Sequence, residues 1–339
     1  MSKFSMDVLN KYVFPYFSNS DPDVILPPEF GEDIALTRVD KGLLVSHVDP
    51  IVGAVKEIGW LAVHVACNDI ATSGTPPRWI LLLVLVPDKN DLELLDGIMR
   101  DASRAASEIG VSIIGGHTGY TSNLTRPLVA VTALGLLSGK EPVCTKGAHI
   151  GDHVFLTKGI GLEGTAILAN DFSEVAHHLG LNDQDLEDAQ DLMKGVSIIP
   201  EALLLAENGA TSMHDVTRGG LLETLLEVAK LSSLGIIVDA DAILVPPIVA
   251  RFSHAFHFDP LKMISSGSLV ATISSSSVQR AAKSLNEKGI PFADIGIVGV
   301  GQGVNIIENG QSTSYKDIHC EDDELARIWE LYSWNSKQS

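Results

Sequence analysis

The run "WILLLVLV", from Trp79 to Val86, constrains the fold of this chain more than any other stretch. Its length is far below the roughly 20 apolar residues that a helix needs to span a bilayer. Pro76 and Pro77 precede the run and Pro87 follows it, and prolines interrupt regular structure. A short apolar run between such boundaries predicts a buried strand, and therefore a sheet.

Helix patterns alternate with strand patterns along both halves of the chain. "EIGWLAVHVACNDIATSG" predicts a helix that ends at Gly74, and "DLELLDGIMRDASRAASEIG" predicts a second one. Farther on, "HVFLTKG" predicts a strand and "EGTAILAN" a helix, while "DIGIVGVG" and "GVNIIENG" together predict a β-hairpin. The segment "CEDDELARIWELYSW" predicts a terminal helix. This mixture indicates an α/β or α+β protein.

A turn-rich segment, "KEPVCTKGAHIGD", interrupts the periodic patterns near the middle of the chain. A chain of 339 residues is long enough for two domains. We therefore expect one domain over residues 1–147 and another over residues 148–339.

Charge and cysteine content exclude several classes of protein. The net charge of −19 argues against a nucleic-acid partner, because phosphate binding depends on Lys and Arg. Cys67, Cys144 and Cys320 form no CxxC pair, so neither a disulfide framework nor a zinc site is expected. The N-terminal segment shows no secretory signal pattern. We expect a cytoplasmic protein without a membrane partner.

Four short stretches place carboxylates beside strongly apolar sequence. They are Asp33 in "FGEDIAL", Asp49 in "LLVSHVDP", Asp69 after Asn68 in "VACNDIATSG", and Asp215 in "MHDVTRGG". A buried carboxylate is costly unless it is paired, hydrogen-bonded or bound to a metal. Four of them suggest a shared cation, and oxygen ligands suit Mg²⁺ or Ca²⁺, with Mn²⁺ as a further option. Mg²⁺ commonly binds together with substrate phosphates, which suggests a nucleotide.

Each of these acids also has an ordinary structural interpretation when it is taken singly. Asp33 fits a turn, Asp49 an Asx turn before Pro50, Asp69 a helix surface, and Asp215 a helix cap. The metal hypothesis depends on the four acids acting as a set.

Two glycine-containing stretches could approach phosphate. In "VSIIGGHTGY", Gly115 and Gly116 end an apolar strand and are followed by His117 and Thr118. Glycines let backbone N–H groups approach an anion, and a threonine hydroxyl can join them. The alternative is a plain turn after the strand.

The second stretch, "GIGLEG", matches the G-x-G-x-x-G pattern of dinucleotide-binding folds. That fold requires a second strand with an acidic end about 20 residues farther on. The following "NDFSEVAHHLGLNDQDLEDAQ" is polar and shows no strand pattern. We therefore interpret "GIGLEG" as a glycine-rich turn that packs a helix against a strand.

The stretch "MHDVTRGG" carries more polar chemistry than a helix cap requires. Thr217 and Arg218 stand between Asp215 and the pair Gly219 and Gly220, directly before the helix pattern "LLETLLEVAK". A helix N-terminus favours anions, and Arg offers a permanent charge to a phosphate.

Together, "GED", "VDP", "CNDIATSG", "GGHT" and "DVTRGGL" resemble the motifs of the aminoimidazole ribonucleotide (AIR) synthetase superfamily, in the same order and spacing. That superfamily includes the hydrogenase-maturation HypE branch, which "DVTRGGL" resembles most, as well as selenophosphate synthetase and thiamine-monophosphate kinase. The resemblance covers roughly residues 25 to 305. It implies a two-domain α/β fold that binds ATP and Mg²⁺, with homodimerisation through strands of the N-terminal domain.

The resemblance also implies roles for particular residues. It assigns four metal or phosphate-site acids: Asp33, Asp49, Asp69 and Asp215. It assigns a set of nucleotide contacts: Asn68, Gly115, Gly116, His117, Thr118, Thr217, Gly219 and Gly220. His117 is the candidate general base, and Arg218 is the second candidate catalytic residue because it would hold a phosphate or an anionic substrate.

The implied reaction is the transfer of a phosphoryl group from ATP to an amide, carbamoyl or similar oxygen, which then leaves readily. HypE carries its substrate on a C-terminal cysteine tail, whereas this chain ends in "ELYSWNSKQS" and has its nearest cysteine at Cys320. Two alternatives therefore stay open beside an enzyme that acts on a small molecule. One is a HypE-like maturation factor that acts on a partner protein, and the other is an ATP-binding regulatory subunit without turnover.

Overall fold

The computed structural model describes residues 6–12, 22–26, 31–51, 56–317 and 323–335. Cys320 lies outside these residues. The chain divides into two compact units. Residues 22–26 and 33–142 belong to the first unit, and residues 31–32 and those from 143 onward belong to the second, together with helix α1 (Met6–Tyr12).

The first unit is a six-stranded sheet with two long helices. Its strands are β1 (Val24–Leu26), β2 (Ala35–Val39), β3 (Gly42–Ile51), β4 (Pro77–Val86), β5 (Ser112–Tyr120) and β6 (Leu128–Leu137). Its helices are α2 (Ile58–Thr72) and α3 (Leu92–Ile109). The strand order is β1-β2-β3-β6-β4-β5, and β4 pairs with β5 in parallel. The other pairs are antiparallel.

Strand β4 contains the predicted buried strand, but only one of its faces is fully buried. Ile80 and Val84 are completely covered, whereas Leu81, on the opposite face, is 37% exposed. The apolar run therefore belongs to a sheet whose one face is covered by helices and whose other face carries partly exposed apolar side chains.

Helix α2 is the centre of the first unit, because all of its residues are buried. It packs against β3, β6 and α3. Its sequence is apolar around most of the helix, which is typical of a helix that is surrounded by protein on every side. The interpretation of Asp69 as a helix-surface residue is therefore wrong, since Asp69 is 5% exposed.

The second unit is a seven-stranded sheet with several helices. Its strands are β7 (His153–Thr157), β8 (Ala210–Asp215), β9 (Gly235–Asp239), β10 (Leu269–Ile273), β11 (Phe292–Gly299), β12 (Gly303–Glu308) and β13 (Gln311–Tyr315). Its longer helices are α4 (Leu162–Asp171), α5 (Ser173–His178), α6 (Asp183–Asp191), α7 (Ile199–Glu207), α8 (Gly220–Leu231), α9 (Pro247–Phe256), α10 (Val278–Glu287) and α11 (Glu324–Asn335).

The sheet of the second unit has the order β13-β12-β9-β11-β7-β10-β8. The predicted hairpin between β11 and β12 is wrong, because β9 lies between them and pairs with both. The hairpin that does form joins β12 to β13. The short connection "VGQ" between β11 and β12 resembles a hairpin turn, but a chain reversal does not decide which strands pair.

Two apolar clusters stabilise the second unit. One lies between α8 and the sheet and includes Leu221, Leu225 and Val154. The other joins α4, α6, α9 and the predicted terminal helix α11, and includes Phe252 and Ile328. Among the described residues, no helix is both long enough and apolar enough to cross a membrane.

Candidate functional site

In the first unit, His47 connects two of the predicted acids. Its Nδ1 makes a short hydrogen bond with the backbone carbonyl oxygen of Asp33, and its Nε2 lies 3.4 Å from Oδ2 of Asp69. The two acids are 8% and 5% exposed. His47 was not predicted as a site residue, because a lone histidine in a strand carries no motif.

Asp49 lies on the same face of β3 as His47, because alternate residues of a strand share a face. Val45 lies on that face too and is fully buried, while Asp49 is half-buried. Asn68 precedes Asp69 in α2 and is fully buried. His47 therefore contacts the backbone oxygen of Asp33 and the carboxylate of Asp69, and Asp49 lies two residues farther along the same strand.

The glycine pair of the first unit lies within the edge strand β5, so the alternative interpretation as a plain turn after the strand is wrong. Gly115, Gly116, His117 and Thr118 are all exposed. Gly116 has φ +146°, and a Cβ there would lie 1.9 Å from the carbonyl oxygen of Leu82. No other residue type fits at this position.

His117 pairs in register with Leu83, on the sheet face opposite to the helix layer. Strands β6 and β4 lie between β3 and β5, so three strand spacings, or about 14 Å, separate His117 from His47 along the sheet. His47 lies on the face that the helices cover. Within one copy of the chain, His117 is therefore both distant from His47 and on the opposite face of the sheet.

The two described cysteines are poor ligands for a soft metal. Burial and the nearby charge of Asp69 raise the pKa of Cys67 to about 12, and burial with the charge of Glu32 raises that of Cys144 to about 11. Both thiols are protonated at neutral pH, so within the described part of the chain the candidate ligands are oxygen and nitrogen donors.

In the second unit, "DVTRGG" forms a tight turn between β8 and α8. The backbone N–H of Val216 donates to the carbonyl oxygen of Ser268 at 2.9 Å, and the N–H of Ser265 donates back to Val216 at 3.2 Å. Gly219 and Gly220 have φ values of +76° and +65°, a region that glycine enters without strain. The turn is therefore fixed against the loop of residues 263–268, which we call the serine loop.

Asp215 ends β8 and is only 1% exposed. Among the described residues, neither of its carboxylate oxygens has a hydrogen-bond partner. His214 Nδ1 lies 3.7 Å from Oδ1 of Asp215 and makes its hydrogen bond, at 2.7 Å, with the backbone oxygen of Asp215 instead. A carboxylate in this situation is costly unless a ligand satisfies it.

Arg218 has a protein partner that the sequence did not indicate. Its Nη1 donates to Oδ2 of Asp323 at 2.7 Å. Asp323 precedes α11 and also accepts a hydrogen bond from the N–H of Ala326, as a helix cap does. The terminal helix is therefore anchored to the "DVTRGG" turn.

Glu32, the first acid of "GED", is not part of the acid group of the first unit. It belongs to the second unit, where its Oε1 accepts hydrogen bonds at 3.3 Å from both the N–H and the hydroxyl of Thr145. Burial raises its pKa in spite of these bonds.

Comparison with known proteins agrees with the motif resemblance. Residues 31–137 match the N-terminal domain of AIR synthase related proteins, and residues 149–309 match their C-terminal domain. The chain belongs to the AIR synthase related family. This confirms the resemblance that the five motifs indicated.

Individual members of the AIR synthase related family align over most of the chain. The carbamoyl dehydratase HypE of Azotobacter vinelandii is 30% identical over 75% of this chain and 73% of that protein. A HypE–HypF complex contains a chain with a TM-score of 0.75 and 20% identity, covering 92% of this chain and 99% of that one. A HypE structure in complex with ATP has a TM-score of 0.72 and 22% identity, covering 95% and 96%. The two-domain α/β fold is thereby confirmed.

Glu163 is a buried acid of the second unit that was not predicted as a site residue from the sequence. It lies in "GIGLEG", in the first turn of α4, and is 3% exposed. Burial raises its pKa, while hydrogen bonds from Ser266 and the charge of Arg218 oppose the increase. A glutamate within the otherwise apolar "GLEGTAILA" was the available signal, but it was set aside with the rejected dinucleotide pattern.

Proposed function

We propose that this chain is an ATP- and Mg²⁺-dependent enzyme that activates an amide, carbamoyl or similar oxygen by phosphoryl transfer. The observation that carries the proposal is Asp215, a buried carboxylate without a hydrogen-bond partner among the described residues. It stands immediately before a glycine turn and a helix N-terminus. The name and ATP complex of the HypE relatives support the same chemistry.

Each unit, taken by itself, offers oxygen donors that suit a hard cation. The first unit offers the carboxylates of Asp33, Asp49 and Asp69, the second offers that of Asp215, and Mg²⁺ prefers such oxygens. The half-buried His47 Nε2 lies beside the carboxylate of Asp69, and we assign it a positioning role that holds this acid toward the metal. When bound, MgATP would supply the phosphoryl group that converts a poorly leaving oxygen into a good leaving group.

Other predicted residues would bind the anionic parts of the ligands. The exposed residues Gly115 and Gly116 would offer backbone N–H groups to phosphate oxygens, and the Thr118 hydroxyl and the His117 ring would offer side-chain contacts on the two faces of the same edge strand. Asn68, next to Asp69, would orient a ligand of the acids around His47. Thr217, Gly219 and Gly220 form the second phosphate-facing element, at the N-terminus of α8. Arg218 would neutralise charge that develops during transfer.

We further propose a homodimer through the open face of the first sheet. That face carries Leu81, Leu83 and Leu85 on β4 and Val48 on β3, of which Val48 is 59% exposed. A second copy would cover these apolar side chains. His117 lies on this same face, so dimerisation would also bring it to the subunit boundary.

The test of the metal–nucleotide site is calorimetric titration of ATP into the wild-type protein and Asp49→Asn, with Mg²⁺ and then with EDTA. We expect binding only with Mg²⁺ and at least tenfold weaker binding by the variant, because a metal ligand is lost. Asp96→Asn is the matched control, since Asp96 is an exposed aspartate of the same unit that pairs with Arg100. Equal binding by wild type and Asp49→Asn, or unchanged binding in EDTA, would refute the site.

A further inference from the structure

The starts of two helices in the second unit meet at the serine loop. At α4, the N–H of Leu162 donates to the hydroxyl of Ser265 at 3.1 Å, and the N–H of Gly164 donates to the carbonyl oxygen of Ile264 at 3.0 Å. At α8, the "DVTRGG" turn is bonded to the same loop through Val216. The loop thereby brings the first turn of α4 beside Asp215 and Arg218.

Glu163 lies at this junction, and within the described part of the chain only one of its two carboxylate oxygens is hydrogen-bonded. Ser266 donates to the carboxylate from both its hydroxyl and its backbone N–H. Oε2 is buried and has no hydrogen-bond partner among the described residues. The acid is close enough to Asp215 and Arg218 for their charges to affect it.

The junction therefore offers a planar ligand two complementary partners. Oε2 of Glu163 is an acceptor that lacks a donor, since a carboxylate accepts hydrogen bonds. The guanidinium of Arg218 has five N–H donors, and Asp323 occupies Nη1. An amide or carbamoyl group has an NH₂ for the first partner and a carbonyl oxygen for the second.

We propose that Glu163 is the residue that selects for an NH₂-bearing substrate, by accepting a hydrogen bond from the amide or carbamoyl nitrogen. This inference rests on the proposed function and identifies which side chain recognises the substrate class. A buried acceptor rejects a methyl group in place of NH₂, because the acceptor would then remain unsatisfied.

The experiment compares two stable, neutral probes that differ only at this group. Methyl carbamate carries NH₂ where methyl acetate carries CH₃. Their dissociation constants are measured by NMR titration of the full chain without nucleotide, so that the result does not depend on ATP binding. We expect the wild-type protein to bind methyl carbamate roughly tenfold or more tightly, the preference typical of a hydrogen bond to a charged group.

Glu163→Gln is the test variant, because it conserves shape. The fixed N–H of Ser266 will hold the amide oxygen of the glutamine, which turns its NH₂ toward the ligand and presents a donor where an acceptor is needed. We expect the preference for methyl carbamate to disappear. Ser266→Ala, which removes one of the two bonds that orient Glu163, should reduce the preference without abolishing it.

Glu174→Gln is the matched control, since Glu174 is an exposed glutamate on the neighbouring helix α5, and it should retain the full preference. The inference is overturned if the wild-type protein binds both probes equally or if Glu163→Gln keeps the preference. Loss of Mg²⁺ binding in Glu163→Gln with an unchanged probe preference would also overturn it, in favour of a cation ligand. MgATP titration of the wild-type protein separates the two proposals, because failure of ATP binding there would refute only the proposed function, whereas the probe measurements contain no nucleotide.

Discussion

Glu163 and Glu201 are buried glutamates of the same unit, and burial raises the pKa of both. Glu201 is satisfied: Nζ of Lys158 lies 2.6 Å from its Oε1, and the hydroxyl of Thr157 lies 3.5 Å away. Glu163 keeps one oxygen without a partner among the described residues. Burial alone therefore does not distinguish the two acids, whereas the unsatisfied oxygen of Glu163 does.

The region around Glu201 has a purely structural role, and we call the Lys158–Glu201 pair with its carbonyl partners the lock. Lys158 follows β7 with φ +59°, and its Nζ also donates to the carbonyl oxygens of Gly195 and Ser197 at 2.9 and 2.6 Å. These contacts tie the end of β7 to the segment before α7. Lys158 and Glu163 are five residues apart in "KGIGLEG", so one short stretch contains both a completed and an open polar site.

The largest expected effect is the loss of stability in Glu201→Gln. The substitution leaves the Lys158 ammonium, whose side chain is 18% exposed, without its counter-charge. We expect a decrease of about 3 kcal/mol in the free energy of unfolding, as for other broken buried pairs. Urea denaturation followed by circular dichroism measures it, and Glu187→Gln, at an exposed site on α6, serves as control. A change below about 0.5 kcal/mol would mean that the lock is not needed.

The opposite sign is expected for Glu163→Gln, which removes a buried charge and keeps the bond to Ser266. We expect an increase of about 1 kcal/mol in the free energy of unfolding at pH 7. The pKa of Glu163 is raised in the folded state from its ordinary value of 4.5. The stability contributed by its protonated form is therefore complete below pH 4.5 and is lost as the pH rises through the folded pKa.

The difference between Glu163→Gln and the wild type should consequently widen as the pH increases above 4.5. Urea denaturation at a series of pH values checks this, with Glu174→Gln as control. If Glu163→Gln is less stable than the wild type at neutral pH, Glu163 is a structural acid like Glu201 and its carboxylate is satisfied within the protein.

The smallest effect on stability is expected for Asp323→Asn. This variant tests whether the Arg218–Asp323 pair is structural, like the Lys158–Glu201 pair, or belongs to the incompletely satisfied site around Glu163. The asparagine keeps an oxygen to cap α11 but loses the charge that faces Arg218. Since the Arg218 side chain is 24% exposed, we expect a loss of only about 0.5 kcal/mol. The probe preference for methyl carbamate should remain. A loss as large as that of Glu201→Gln would make the Arg218 pair a second lock.

Local patterns in the sequence predicted much of the fold. The apolar sequence of α2, the periodicity of α3 and the turn residues around β4 depend on neighbours in the chain, so their elements could be anticipated. The β11–β12 hairpin could not, because the insertion of β9 between these strands depends on contacts with a segment more than 50 residues earlier.

The candidate site shows the same division. Asp33, Asp49, Asp69 and Asp215 were selected because acids beside apolar residues are unusual in sequence. His47 and Glu163 were missed, since a lone histidine and a glutamate in a rejected glycine pattern become notable only through their partners. Those partners, Asp69 and Ser266, lie 22 and 103 residues away in the chain.

The sequence by itself determined the family, the alternation of strands and helices, and a set of acids suited to Mg²⁺, because these properties are carried by residue type and spacing. Only the tertiary structure decided which polar groups are completed by the protein and which are not. Lys158 and Glu201 complete each other, whereas Glu163 and Asp215 are buried without hydrogen-bond partners for three of their four carboxylate oxygens among the described residues. Satisfaction of a buried polar atom depends on every element that packs around it, and no local pattern contains that information.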